Sequence, residues 1–272
     1  VCNKISIVFD RELCLNASAN HIKRKIKADR TRTYSVLKVK RGKLRYRTEG
    51  IYPKRAEHLE RIPVLFLFSN PHPESVKRCL FLSEPHSWAF WQRLSEIDKE
   101  YLVLLPTEVN LEHWDESIPR LKDTMLNGNY KSPFLFYFHC YYPIPTRQLV
   151  DLKRLFKSAP SVWDVVKKSA LEELTKLVKR EQIKYIVVFS VEIFREITNR
   201  NRVKGWRNKE AINKFLKSDC KEKYWGVDSN LGRVYLALHT RAKDWKNDNE
   251  QYYFTQFLEL IFKKIKETHQ VI

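Results

Sequence analysis

The chain is expected to be an α/β protein: a three-layer α/β/α sandwich around a short, mainly parallel, four-stranded sheet, with a basic N-terminal extension. Two observations predict this. Four short apolar runs, Ile62–Phe68, Phe134–Cys140, Tyr185–Phe189 and Val234–Leu238, are separated by stretches with helical spacing. Strands that alternate with helices build parallel sheets with helices on both faces. The polar residues also cluster where the runs end, at Ser69-Asn70-Pro71-His72-Pro73 and at His239-Thr240-Arg241. In open α/β sheets ligands bind at the carboxyl ends of the strands.

Along the chain, Ile5, Ile7 and Phe9 alternate as in a strand over residues 1–10. From His21 to Arg55, Lys and Arg are dense, with Asp29 and Glu49 opposing them. Lys40-Arg41-Gly42-Lys43 reads as a turn between strands Tyr34–Lys40 and Leu44–Thr48. This is either a basic hairpin laid on phosphates or a solvated ribbon. After the first core strand a helix is expected over His86–Ile97, then a short apolar run, Tyr101–Leu105. Phe134–Cys140 is closed by Tyr141-Tyr142-Pro143-Ile144-Pro145. Ser161 with Asp164 reads as a capping box. Val162, Val165, Val166, Leu174, Leu177 and Val178 follow at helical spacing. Ile193–Ile197 opens another helix, and Phe254, Phe257, Leu258, Ile261 and Ile265 mark the last one. Residues 200–230, with Trp206 and Trp225, read as an insertion or binding loop. Residues 1–60 are therefore taken as the extension and residues 61–272 as the α/β domain.

The formal net charge of +19 over 272 residues implies an anionic partner. Nucleic acid is the first candidate and a membrane surface the second. A hydrophobic fraction of 43% is ample for a core and excludes a disordered class. No apolar run approaches the ~20 residues that span a bilayer, and no signal peptide is evident. The five cysteines are scattered, without C-x-x-C spacing. They support neither a zinc site nor a disulfide framework, and they fit a reducing, cytoplasmic compartment. No carboxylates cluster as a nuclease would need to hold Mg²⁺.

An Asn and a His facing each other across adjacent strand ends could orient a water and stabilise a departing anion. Each residue also has a structural reading. Asn70 could bond the turn backbone, and His239 could be a satisfied buried histidine. Phe81 could be core, and His72 and His139 structural. Cys140 could be inert packing. Tyr141 could cap its strand, and Arg241 could be one more surface charge.

Asn70-Pro71, then Cys79, Pro85 and Phe90-Trp91, followed much later by a strand-terminal His239, resembles the motif order of the uracil-DNA glycosylase superfamily. The similar branches are the mismatch-specific and single-strand-selective ones, and the resemblance spans roughly residues 60–245. It implies that Asn70 positions the attacking water and that His239 donates to the base carbonyl. It implies a base pocket of Ser69, His72, Phe81, His139 and Tyr141, with Phe81 stacking on the flipped base. It puts Arg241, with Lys243, on a loop at the duplex. Lys40, Arg41 and Lys43 of the basic extension, which lies outside the resemblance, are expected to join them in DNA binding by their charge.

The departures narrow the expectation. His72 and Cys79 stand where the family has Gly, and Thr240-Arg241 follow His239 in place of Pro-Ser. Residues 134–142 lack the Asn that reads uracil in several branches. The substrate implied is a non-uracil base, such as a glucosylated hydroxymethylcytosine in phage DNA excised as antiviral defence. A uracil repair glycosylase is the alternative, and a non-catalytic DNA-binding module is the alternative from another class. Neither motif holds a lysine for a Schiff base, so a monofunctional enzyme that leaves an abasic site is expected. No metal or cofactor is expected, because the spaced cysteines of the iron–sulfur branches are absent.

Overall fold

A computed structural model describes residues 8–79, 81–82, 88–104, 113–201, 203, 208–217, 226–239, 244–247 and 249–270. The strands are β1 (Val8–Cys14), β2 (Lys38–Lys40), β3 (Lys43–Ile51), β4 (Ile62–Phe68), β5 (Phe134–Cys140), β6 (Tyr185–Val188), β7 (Val227–Ser229) and β8 (Gly232–Leu236). The helices are α1 (Ala19–Ala28), α2 (Pro73–Arg78), α3 (Trp88–Ser95), α4 (Trp114–Asn127), α5 (Leu149–Phe156), α6 (Pro160–Arg180), α7 (Val191–Thr198), α8 (Lys209–Lys217) and α9 (Tyr253–Gln270). Together they make an α/β protein with a mixed, eight-stranded sheet in the order β1-β3-β5-β4-β6-β8-β7, with β2 paired to β3. The four expected strands are the parallel centre, β5-β4-β6-β8. The expectation of only four is corrected at both edges. β3 pairs antiparallel with β5, and β7 pairs antiparallel with β8.

β4 and β5 are buried at all seven positions, which is why their sequences run apolar without alternation. Their side chains divide between the faces of the sheet. Val64, Phe66 and Phe68 join Phe134, Phe136 and Phe138 on one face, under α3, α4, α8 and α9. Leu65, Leu67, Leu135 and Tyr137 lie on the other, under α1, α5, α6 and α7. Phe66 sits at the centre of the first cluster, with ring centroids 5.3 Å from Phe136, 5.1 Å from Phe138 and 5.7 Å from Phe189. Each such side chain contributes about 1.5–3 kcal/mol by its burial.

The chain leaves β4 toward the α3 face and leaves β6 toward the α7 face. Adjacent parallel strands whose exits diverge in this way form a topological switch point, where a crevice opens at the carboxyl ends. Ser69-Asn70 and Ser190 stand at that point.

The basic extension is continuous with the sheet. Gly50 pairs with His139 and Ile51 with Phe138, so residue 60 is no break in the hydrogen-bonded structure. The rest of β3 runs past the carboxyl end of β5, so Lys43 lies roughly 20 Å beyond it at the rise of an antiparallel strand. The hairpin turn is as expected: Arg41 (φ 50°) and Gly42 (φ 72°) both take positive φ, as a two-residue type I′ turn requires. Its first strand is shorter than expected, Lys38–Lys40 in place of Tyr34–Lys40. The Asp29 carboxylate accepts from Thr31 N–H and Tyr34 N–H and folds that stretch into a turn.

Other expectations need correcting. Strand β1 continues to Cys14, while Ile5 and Ile7 lie outside the described residues. The helix expected from His86 is described from Trp88 to Ser95. Val103 makes only an isolated bridge, to Lys131. Ser161 and Asp164 form no capping box, because α6 starts earlier: Ala159 is its N-cap and Pro160 occupies the first turn, where its missing N–H costs nothing. The region 200–230 is not simply an inserted loop, since Ile212 and Phe215 of α8 are fully buried in the core. Trp206 and Trp225 lie outside the described residues.

Candidate functional site at the ends of the parallel strands

The sheet register fixes the height of each polar group. Leu67 of β4, Val188 of β6 and Leu236 of β8 are in one row. Asn70 and His239 each stand three residues past that row, and so do Val191 at the start of α7 and, through the Leu67–His139 pair, Tyr142. The expectation that the Asn and His strands are neighbours is corrected: β6 lies between them. Two inter-strand spacings put the strand ends about 10 Å apart.

Asn70 is half-buried and held by its amide nitrogen. Nδ2 donates to Thr146 O (2.8 Å), Thr146 Oγ1 (3.0 Å) and Pro71 O (3.2 Å). A carbonyl oxygen can only accept, so two of these contacts decide which way the amide faces. Asn70 Oδ1 accepts from Ser69 Oγ at 3.2 Å. It is the acceptor end of the side chain, and a carbonyl oxygen has capacity for a second bond. Thr146 is fully buried, and its own N–H donates to Pro71 O, so the two loops brace one another. The sequence reading missed Thr146, the residue that follows the Pro-Ile-Pro exit. It also missed Ser190 at the switch point, whose hydroxyl caps α7 by accepting from Ile193 N–H at 3.5 Å.

His239 is exposed and three residues beyond β8, so the reading of it as a buried histidine does not apply. Arg241 and Lys243, expected at the duplex, lie outside the described residues. At Asp244 the buried Arg93 of α3 gathers the chain. Arg93 bonds Glu96 (2.7 Å), reaches Asp244 (3.9 Å) and stacks 3.3 Å over the Tyr252 ring.

The expected base-pocket residues divide. Ser69 and His72 lie beside Asn70. His72 is the N-cap of α2, and its Nδ1 accepts from Glu74 N–H at 3.2 Å. Cys79 is the C-cap in the left-handed region (φ 54°). That is a conformation glycine adopts without strain.

Phe81 is the residue expected to stack on the base. It is fully buried, with centroids 5.3 Å from Phe68 and 5.7 Å from Phe138. His139 is expected in the same pocket. It points to the face opposite Phe138, where Tyr52 Oη meets Nδ1 at 2.8 Å. Gly50 makes room for this contact, since a Cβ there would lie 2.1 Å from the Tyr52 hydroxyl. Burial, reinforced by the charge of Arg11, lowers the His139 pKa to about 4. Its Nε2 is buried without a partner among the described residues. Tyr141 donates to Glu196 Oε1 (2.9 Å) and Tyr142 to Oε2 (2.7 Å), so Tyr141 belongs to that cluster. Cys140 is buried on the aromatic face, where burial and then the charge of Glu49 hold its thiol well above the usual range.

Of the expected DNA contacts, Lys40, Arg41 and Lys43 are all exposed around the hairpin turn. Lys43 bonds Glu12 at 2.9 Å. Among the described residues no group of three or more His, Cys, Asp or Glu side chains is placed to hold a metal ion, and no helix is long and apolar enough to cross a membrane. No family of known proteins matches the chain, and no curated protein matches it.

Proposed function

We propose that the chain is a monofunctional DNA glycosylase. It would extrude a modified pyrimidine from DNA and hydrolyse its N-glycosidic bond, leaving an abasic site. The observation that carries this reading is that Asn70 and His239 each follow the carboxyl end of a parallel strand, β4 and β8, on either side of β6, with Asn70 at the switch point and the two strand ends about 10 Å apart. In this reading the parallel strands and their helices are a three-layer sandwich, and the outer strands are additions to it.

A base stacked in a duplex is out of reach, so it must be flipped, at a cost of a few kcal/mol. Phosphate contacts from a chain of charge +19 offset that cost. Asn70, its nitrogen fixed on Thr146, offers Oδ1 to a water and aims it at the sugar carbon. The C1′–N bond breaks with both electrons passing to the base. Water oxygen bonds C1′, and the proton it loses neutralises the base. A donor at His239 acts where the negative charge develops. The non-uracil substrate, a hypermodified cytosine of phage DNA, stays part of the proposal.

One observation favours a second reading, a DNA-binding module without catalysis: Phe81 has no free ring face for a base. A single experiment separates the two. The protein is incubated with uracil-containing, mismatched and phage-modified DNA, each then treated with alkali. Strand breaks that appear only after alkali, with a free base found by mass spectrometry, are expected for the glycosylase. Salt-sensitive binding without product on any DNA supports the module instead.

A further inference from the structure

We infer that the groove between the β1–β3 ribbon and α2 is the track for the phosphate backbone of the DNA strand whose base enters at Asn70. This rests on the glycosylase reading and adds a surface to it.

The groove arises from the way β3 is shared. On one side β3 pairs with β1 along its length. On the other it pairs with β2 only at Lys43–Arg45 and with β5 only at Gly50–Ile51. The edge between, Tyr46–Glu49, has no strand beside it among the described residues. Residues Val76 and Lys77 of α2 face this gap instead, across a cavity of ≈ 680 Å³.

The charge of the walls selects the occupant. Arg11, Lys38, Arg45, Arg47 and Lys77 line the groove, against the carboxylates Asp10 and Glu12. Lys38 has no ion-pair partner among the described residues. Arg47–Asp10 (3.2 Å), Arg45–Glu12 (2.7 Å) and Lys77–Glu74 (2.7 Å) are exposed pairs. Exposed pairs contribute little to stability, because water screens them, so a phosphate can compete for the cation.

Length selects a polymer over a small anion. The cations continue from Arg47 along the ribbon to Lys40 and Arg41 at its turn, a line of roughly 15 Å at strand rise. One phosphate needs one cluster, whereas a polyanion matches a line. The track also leads to the site. Lys77 lies four residues along the helix that starts at Pro73, and Asn70 is three residues before that start. The two are therefore no more than roughly 16 Å apart.

The test compares two triple variants that remove equal charge from exposed positions. Lys38→Ala/Arg47→Ala/Lys77→Ala empties the groove. Lys176→Ala/Lys179→Ala/Lys184→Ala strips the opposite end of the sheet, where α6 leads into β6. Binding of a short fluorescein-labelled DNA, single-stranded and duplex, is followed by anisotropy across a salt series, and thermal melts check that both variants are folded. The groove variant is expected to lose about tenfold or more in affinity. Its slope of log K against log salt should shrink by about two to three, with the control near the unsubstituted protein. Equal losses in the two variants overturn the groove and leave the DNA reading standing. An unsubstituted protein with no salt-dependent DNA binding overturns both.

Discussion

β4 and β5 are alike in character: seven apolar-dominated residues each, buried throughout and paired in full register. Their ends have opposite fates. The end of β5 is covered: β3 pairs with its last residues, Tyr52 bonds His139, and Glu196 holds Tyr141 and Tyr142. The end of β4 lies between parallel strands, its exit diverges from that of β6, and Asn70 remains half-exposed with its amide braced. An apolar run with polar residues at its end marks a strand. Only the neighbours of that end decide whether the polar groups do chemistry or hold the fold together.

The largest effect that tests this contrast is expected at β4. Asn70→Ala should lower single-turnover base excision at least 100-fold, equivalent to about 3 kcal/mol, with DNA affinity by anisotropy nearly unchanged. Survival of excision would show that Asn70 serves only the turn.

At β5 the expected effect is on stability and depends on pH. The unfolded imidazole takes up a proton near pH 6.5, the folded His139 only near 4. Between those values the unfolded state binds more protons, so stability falls as pH drops through this window, by about 3 kcal/mol in all. The Tyr52→Phe/His139→Leu variant removes both partners and should flatten that part of the melting-temperature profile. An unchanged profile would mean that His139 is not the group responsible.

Glu196→Ala leaves two tyrosine hydroxyls without their charged acceptor. It should cost about 2 kcal/mol in chemical denaturation while excision per folded molecule stays constant. A loss of excision beyond the loss of folded protein would return Tyr141 to the site. The smallest effect is expected at Cys79. Cys79→Gly should gain about 0.5–1 kcal/mol, read as a higher urea midpoint at unchanged slope, because glycine relieves the left-handed C-cap.

The parallel strands were legible because complete burial writes itself as continuous apolar runs, and their boundaries came within a residue or two. The positions of Asn70 and His239 past strand ends were legible because each follows such a run. The faces taken by Phe81, His139 and Tyr141 were not, because an aromatic or imidazole near a strand end carries no local mark of its side. That face depends on register, and one residue of shift reverses it. The role of residues 8–57 was hidden as well. A basic hairpin looks the same whether it floats or pairs, and only two residues of β3, Gly50 and Ile51, join it to β5.

By itself the amino-acid sequence determined the α/β class, the four central strands, the turn at Arg41-Gly42 and the strong positive charge. Each is a local property of composition or spacing. Tertiary structure alone decided that β6 separates Asn70 from His239, that Thr146 orients the Asn70 amide, and that the ribbon borders a groove beside α2. Those facts depend on strand order and register, which join residues 70, 146 and 239 through contacts that no local pattern in the chain encodes.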